Sequence, residues 1–404
     1  MEMEKFLFNI IYILSRTIYW ICRFCVFGYF SFNEKSGKLY ICQHSVLRKI
    51  VASIVKIFLV FTDNANYVYL VMTAYMALFE RLREKMSGYN FYVPISIFSH
   101  ANLHYYKMVY ILHSRKISAS YVSVINEVIE IHRIMISTFD SIYFTVEINI
   151  LIIFLLESIL NVLQIWNQLS TTIIWITIYQ QLLFELFYWA YFVYQLILIS
   201  WHKVLLRCLK SSLHNLENGH RHQQQIILFY GLYFRIWKLH SRVTKLWLKI
   251  AGALFGSTLA LSYSICEELF NIIYTQSQPT EKWHFYLRFQ IGHCLAPPMR
   301  IFLLGLCNNR IEELTILLSQ QIILIHLLQG QKSLNQVQSV QEILSEQLLE
   351  CKFNCFVLQQ IRPIRNYIWY VGQTINNEFL LLYLWTSFLN AMSNLQYDLA
   401  NAND

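Results

Sequence analysis

Six apolar runs, at roughly 46–62, 142–165, 172–200, 244–274, 283–306 and 378–397, are each long enough to cross about 30 Å of hydrocarbon. Few folds accept that many. In lipid every backbone amide and carbonyl must find its partner within the chain, which leaves helices or closed barrels. These runs are continuous and do not alternate, so helices are expected. Composition agrees: of 404 residues 56% are hydrophobic, 16% aromatic and 14% charged, against about a quarter charged in soluble domains. Eleven glycines and five prolines also argue against a loop-rich enzyme. The fold class expected is all-α, a polytopic membrane protein.

A seventh span falls within 64–113. Residues 67–79 are strongly apolar but too short to cross, and 91–112 are long enough but contain His100, Asn102, His104 and Lys107. The reading takes 91–112 as the span and 67–79 as a surface or re-entrant piece. Orientation follows from charge. Between His202 and Lys249 lie Lys203, Arg207, Lys210, Arg221, Arg235, Lys238, Arg242 and Lys245, against a single Glu217, so this connection is cytoplasmic by the positive-inside rule. Arg362 and Arg365 before the last span, and Lys35, Lys38, Arg48 and Lys49 near the start, agree. The stretches 166–171 and 275–282 are nearly uncharged and read as extracellular. Arg81, Arg83 and Lys85 dissent, partly neutralised by Glu80 and Glu84. Seven transmembrane helices result, with the N-terminus cytoplasmic and the C-terminus extracellular.

The first residues do not read as a cleaved signal, because Glu2 and Glu4 precede the apolar stretch 6–14 and no small-residue cleavage site follows. Residues 1–45 are expected to form a cytoplasmic or interfacial segment, with Trp20, Arg23 and Phe27 near the headgroups. The first six spans occupy 46–306, with the basic connection 201–243 among them. In 307–366, Ile311, Leu314, Leu317, Leu318, Ile322 and Ile325 recur at helical spacing, and Leu344, Leu348, Cys351 and Cys355 continue the pattern. A cytoplasmic helical bundle is expected there. The last span and its approach fill 367–398, and 399–404 form an extracellular tail.

The net charge of +8 is concentrated on one side of the membrane and is not a nucleic-acid footprint; no nucleic-acid partner is expected. Nine cysteines, an odd number without a framework, read as reduced apolar residues, and Cys22 and Cys25 lack a second pair. The glycines of Gly252-x-x-x-Gly256 allow close helix approach, within the chain or between subunits. His220-Arg221-His222, with His202 and His214, reads as a solvated basic loop, and His100-x-x-x-His104 lacks the glutamate of a zinc-protease motif. No metal, cofactor or catalytic residue is expected, and nothing argues for an enzyme.

Acids inside spans are the first functional candidates, since burying a charge in lipid is costly. Glu157 and Glu185 lie in the third and fourth spans, and Glu267 and Glu268 in the outer part of the fifth. The sixth carries Arg288 and His293, then Pro297-Pro298, which should break or kink it. Glu157, Tyr179, Glu185, Tyr263, Glu267, Trp283 and Arg288 are candidates for a pocket binding a small amphipathic molecule. The alternative for the same residues is an internal salt bridge with ordinary aromatic packing.

The last span changes character along its length. At 100° per residue, Thr386, Ser387, Asn390, Ser393, Asn394, Tyr397 and Asp398 fall in one stripe roughly 140° wide. Such a stripe meets water or other protein. A helix–helix seam and a polar pore are the two readings, and one stripe per chain encloses a pore only in a symmetric oligomer.

Here the residues resemble a known family. Leu389-Asn390, then Ala391 to Leu395, then Gln396-Tyr397 is similar to the insect gustatory receptor signature, Thr-Tyr followed by five hydrophobic residues and Gln-Phe. The glutamine is kept, Tyr replaces Phe, and Leu-Asn replaces Thr-Tyr. Leu358-Gln359-Gln360-Ile361-Arg362 followed by Gly372 resembles the family's approach to its last helix. Gly28-Tyr29-Phe30-Ser31-Phe32, then Ser36-Gly37-Lys38-Leu39, resembles its N-terminal segment. The resemblance implies a multi-pass plasma-membrane protein: a tetrameric, ligand-gated, non-selective cation channel whose last helices line one pore and whose cytoplasmic helices anchor the subunits together. It places ligands among the outer halves of the second to sixth spans, and Gln396 near the pore. Asn390, Ser393, Asn394, Gln396 and Tyr397 are the pore-lining candidates, although Ser393 and Asn394 occupy positions that the family keeps hydrophobic.

The expected function is a taste-receptor subunit that detects small-molecule tastants, bitter compounds among them. Its partners would be the tastant, the bilayer and other receptor subunits. The alternatives are a secondary transporter using Glu157 or Glu185, and a non-conducting accessory subunit.

Overall fold

The computed structural model describes residues 12–13, 16–17, 20, 30–33, 38–41, 45–83, 101, 104–105, 108–109, 111–138, 147–171, 175–214, 226–246, 281–333, 340–360, 364–365, 367–368, 373–374 and the helical residues 378–379, 381–382, 384–386, 388–389, 392–393 and 396. Long helices dominate. In chain order they are α1 (Val46–Arg83), α2 (Ser114–Thr138), α3 (Ile148–Thr171), α4 (Trp175–His214), α5 (helical residues 226–246), α6 (Glu281–Ser333) and α7 (Val340–Gln360). Three helical stretches among the described residues are long and apolar enough to cross a membrane: Lys49–Tyr69, Tyr188–Ser211 and Met299–Leu328. Ile148–Val162 is apolar but shorter. The candidate span 244–274 lies, beyond residue 246, outside the described residues.

Sequence-level expectation and structure part in four places. First, residues 67–79 are not a separate piece: α1 runs through them for 38 residues, because neither Gly nor Pro interrupts 62–67 and the potential caps Thr62 and Asn64 donate back to the carbonyls of Phe58 and Val60 within the helix. Second, the described residues are almost entirely helical, as expected, but include two short hairpins that the reading did not foresee. Strands β1 (Phe30–Asn33) and β2 (Lys38–Ile41) pair antiparallel, Phe30 opposite Ile41 and Asn33 opposite Lys38. A two-residue pair, β3 (Tyr367–Ile368) with β4 (Gln373–Thr374), follows α7. Third, Pro297-Pro298 do not break α6, which continues through them as one helix of 53 residues, about 80 Å along its path at 1.5 Å per residue. Two prolines remove only two amide donors, a loss that neighbouring helices can absorb inside a bundle. Fourth, α7 turns the other way. Leu349 and Phe356 are buried and Phe353 packs against them, whereas Leu348, Cys351 and Cys355 face outward. The aromatic stripe offers more apolar area to bury than the leucine–cysteine stripe, so it takes the core.

The bundle is arranged around α4. Leu196, Ile197, Leu198 and Ile199 are consecutive and each at most 3% exposed, as expected for a helix that is apolar on every side. α6 lies against it with Ile301, Leu304, Ile311, Leu314, Leu318, Ile322 and Ile325 in the core. α3 shows the reverse of a soluble helix. Its inward side carries Ile150, Glu157 and Asn161, while Ile148, Ile152, Leu155, Leu156, Ile159 and Val162 are all more than half exposed. A helix with carboxylate and amide inside and leucines outside is built for a lipid surround.

The first hairpin docks on α2. Asn126 brackets Leu39, accepting from its amide at 2.9 Å and donating to its carbonyl at 2.7 Å. The Phe30 ring lies tilted against Tyr121, centroids 5.8 Å apart, and Lys38 reaches Glu130 at 3.5 Å. The hairpin's backbone thus completes its hydrogen bonding against a side chain of the bundle.

Candidate functional site

Inside the bundle, α3, α4 and α6 meet at a charged cluster. Glu157, on the inward side of α3, is 0% exposed; Glu185 on α4 is 5% and Arg300 on α6 is 7% exposed. Arg300 Nε donates to Glu157 Oε1 at 2.5 Å, and its Nη2 donates to Glu185 Oε2. Asn161, one turn along α3, donates from Nδ2 to the same Glu157 Oε1 and, at 3.0 Å, to the Glu157 carbonyl. The guanidinium also lies 4.6 Å from the centroid of the Tyr188 ring. A planar, forked cation suits this geometry, since it bonds two carboxylates at once and stacks on an aromatic face. Removing one partner of such a buried set is costly, because the others are left uncompensated.

Sequence reasoning singled out Glu157 and Glu185 but missed Arg300. The signal was present: an arginine beside an apolar run, two residues after the pair of prolines, needs a buried carboxylate. Tyr179 lies on α4, and Trp283 and Arg288 on α6, with side chains outside the described residues. Tyr263, Glu267, Glu268 and the Gly252–Gly256 pair lie outside them altogether, as does His220-Arg221-His222.

A second constellation joins the start of α3 to α4 and α6, and α5 to α2. Glu147, just before α3, accepts from Lys203 of α4 at 2.5 Å and Arg310 of α6 at 3.0 Å. Arg235 of α5 donates twice to Glu127 of α2, at 3.1 and 2.9 Å. Part of the basic stretch 201–249 therefore joins helices. Phe356 of α7 sits among Phe229, Tyr230 and Tyr233 of α5, with ring centroids 5.0–6.3 Å apart. His326 of α6 stacks on Phe353 at 4.1 Å. Gln360, at the end of α7, donates to the Tyr233 hydroxyl at 3.1 Å.

The approach to the last helical stretch is held by the same bundle. Arg365 pairs through Nη2 with Glu312 of α6, and its carbonyl meets His240 Nε2 at 3.2 Å. Ile364 beside it is 1% exposed. Beyond β4, the described residues from 378 to 396 are helical. Leu381, Leu382, Leu384, Trp385, Phe388 and Leu389 are each 43–67% exposed. Ser393 and Gln396 are helical and exposed as well, while Asn390, Asn394 and Tyr397 lie outside the described residues. Exposed apolar positions at 381, 384, 385, 388 and 389 lie within an arc of about 140° at 100° per residue, opposite the polar stripe read from the sequence. The single chain leaves this apolar side uncovered.

Comparison with known proteins points the same way as the motifs. The chain is 26% identical over 238 residues to Gustatory receptor-like 43a of Drosophila melanogaster, covering 55% of this chain and 51% of that protein. The match thus spans about half the length of that relative. No family model matches. The similarity bears out the resemblance to insect gustatory receptors that the sequence motifs carry.

Proposed function

We propose that the chain is a subunit of a chemosensory receptor of the gustatory type, a ligand-gated, non-selective cation channel in the plasma membrane. The similarity to a gustatory receptor-like protein supports the receptor reading. The channel reading is carried by the last helix, where the sequence sets the polar stripe of Asn390, Ser393, Asn394 and Tyr397 opposite apolar residues that are half exposed in the single chain. Four copies around an axis would turn that stripe toward a shared water path and the apolar side away from it, toward lipid or the rest of the bundle. Gln396, the retained signature residue, would sit at its margin. The clustered ends of α2 and α4–α7 would form the cytoplasmic anchor, with Arg365 carrying its movement to the last helix.

Tastant binding is proposed among the outer parts of the spans, with Tyr179, Tyr263, Glu267, Trp283 and Arg288 as contacts and bitter compounds among the candidate ligands. Glu157 and Glu185 support such a pocket less well, because Arg300 engages both. The same engagement weighs against a secondary transporter that cycles protons through either one. A non-conducting accessory subunit is the second reading, favoured by Leu389-Asn390 in place of the signature Thr-Tyr.

The experiment is voltage clamp of cells expressing the chain, alone and with candidate partner subunits, across a tastant panel. A ligand-gated current altered by Asn394→Ala or Gln396→Ala supports the channel. Absence of current with every partner tried, alongside correct surface delivery, would leave the accessory reading.

A further inference from the structure

The cluster of α3, α4 and α6 has an uneven charge count. Fully ionised, Glu157, Glu185 and Arg300 sum to one negative charge, and among the described residues no other cation pairs with either carboxylate. Among the described residues, the polar groups that contact it are Asn161 from α3 and Tyr188 from α4. Neither supplies a compensating positive charge. Net charge left in an apolar bundle is far more expensive than a neutral hydrogen-bonded set.

The distribution of donors says where the excess lies. Glu157 Oε1 collects two, from Arg300 Nε and Asn161 Nδ2. Glu157 Oε2 is buried with no hydrogen-bond partner among the described residues. An ionised carboxylate shares its charge between both oxygens and needs donors at each, whereas a carboxylic acid has one oxygen that accepts and a neutral hydroxyl, which costs far less than a charge when it is buried without a partner.

We propose that this cluster is a one-proton binding site, with the proton held on Glu157 Oε2. Arg300 and Glu185 then form the ion pair, Glu157 is a neutral acid accepting at Oε1, and the cluster carries no net charge. Losing the proton to bulk leaves one unpaired carboxylate between α3 and α6. The site does not depend on the channel reading, and would be present in a non-conducting subunit too.

Infrared spectroscopy of the full-length protein in nanodiscs at neutral pH tests it through the carbonyl stretch of protonated carboxyl groups. The wild type should show one such band that is absent from Glu157→Gln. The band should also vanish in Glu185→Gln, where Glu157 must ionise to pair with Arg300, so either variant suffices if the other fails to fold. Glu157→Gln should keep the wild-type unfolding temperature, while Arg300→Met lowers it. Coincident carboxyl spectra for wild type and both variants would overturn the proposal. So would an unfolding temperature that falls when choline replaces sodium in the wild type but not in Glu157→Gln, since a metal cation would then be the occupant.

Discussion

His240 ties α5 to the stretch entering the last helix: its Nε2 lies 3.2 Å from the Arg365 carbonyl, and its Nδ1 lies 3.4 Å from the Tyr194 hydroxyl. The neutral ring with its proton on Nε2 donates to the carbonyl and accepts from the tyrosine. Burial lowers His240 to about 4; its bond to the Arg365 carbonyl opposes the shift, and the nearby His202 adds to it. His132 in α2, which accepts from Trp201 Nε1, is likewise lowered to about 4 by burial.

Both histidines stay neutral when folded and take up protons near pH 6.5 when unfolded. The unfolded state therefore binds more protons across the interval from about 6.5 down to about 4, and stability falls as pH falls through it. Each histidine contributes on the order of 3 kcal/mol at most. Unfolding temperatures measured between pH 7.5 and 4.5 should drop steadily, and His240→Gln should flatten part of the slope. A flat profile in the wild type would contradict these buried, neutral assignments.

Asn126 should be sensitive to which of its two bonds is removed. Asn126→Ala loses both contacts to Leu39, at about 0.5–1.5 kcal/mol each. Asn126→Asp keeps the acceptor for the Leu39 amide but loses the donor to its carbonyl. Limited proteolysis near residue 35 should rank the variants in the order alanine, aspartate, wild type.

The two sides of α7 should behave oppositely. Phe356→Ala removes a ring from the aromatic core between α5 and α7, and large-to-alanine changes of this kind cost about 3–5 kcal/mol. Cys351→Ala on the outer side should change monomer stability by less than about 0.5 kcal/mol. Chemical denaturation of the two variants in the same detergent checks the contrast.

Arg365 and Glu312 are each more than a third exposed, so Glu312→Gln should cost under about 1 kcal/mol of stability. Its effect should appear in function instead, as a shift in ligand concentration for half-maximal current, because Arg365 leads into the last helix. Restoring the wild-type response in an Arg365→Glu, Glu312→Arg double variant would identify the ion pair as the link.

Much of this was legible in the chain. Runs of bilayer length, and the spacing of Ile311, Leu314, Leu318, Ile322 and Ile325, mark helices and a buried side, since each depends on local periodicity. Long-range pairings are not local. Nothing in the sequence states that Arg300, 143 residues from Glu157, closes the cluster, or that Asn126 completes a hairpin 87 residues away. The turn of α7 was hidden for another reason: two apolar stripes, Leu348–Cys351–Cys355 and Leu349–Phe353–Phe356, share one helix, and only packing against α5 and α6 decides between them. The last helix posed the converse problem, because its polar stripe is visible at once but nothing local says what that stripe faces.

The most direct test of the central claim is thiol accessibility along that helix during a tastant-evoked current. In patches under voltage clamp, Ser393→Cys and Asn394→Cys should become irreversibly blocked by a charged thiol reagent, faster in the presence of ligand, while Leu381→Cys on the apolar side should not. Unaltered current in all three variants would contradict a pore lined by this helix.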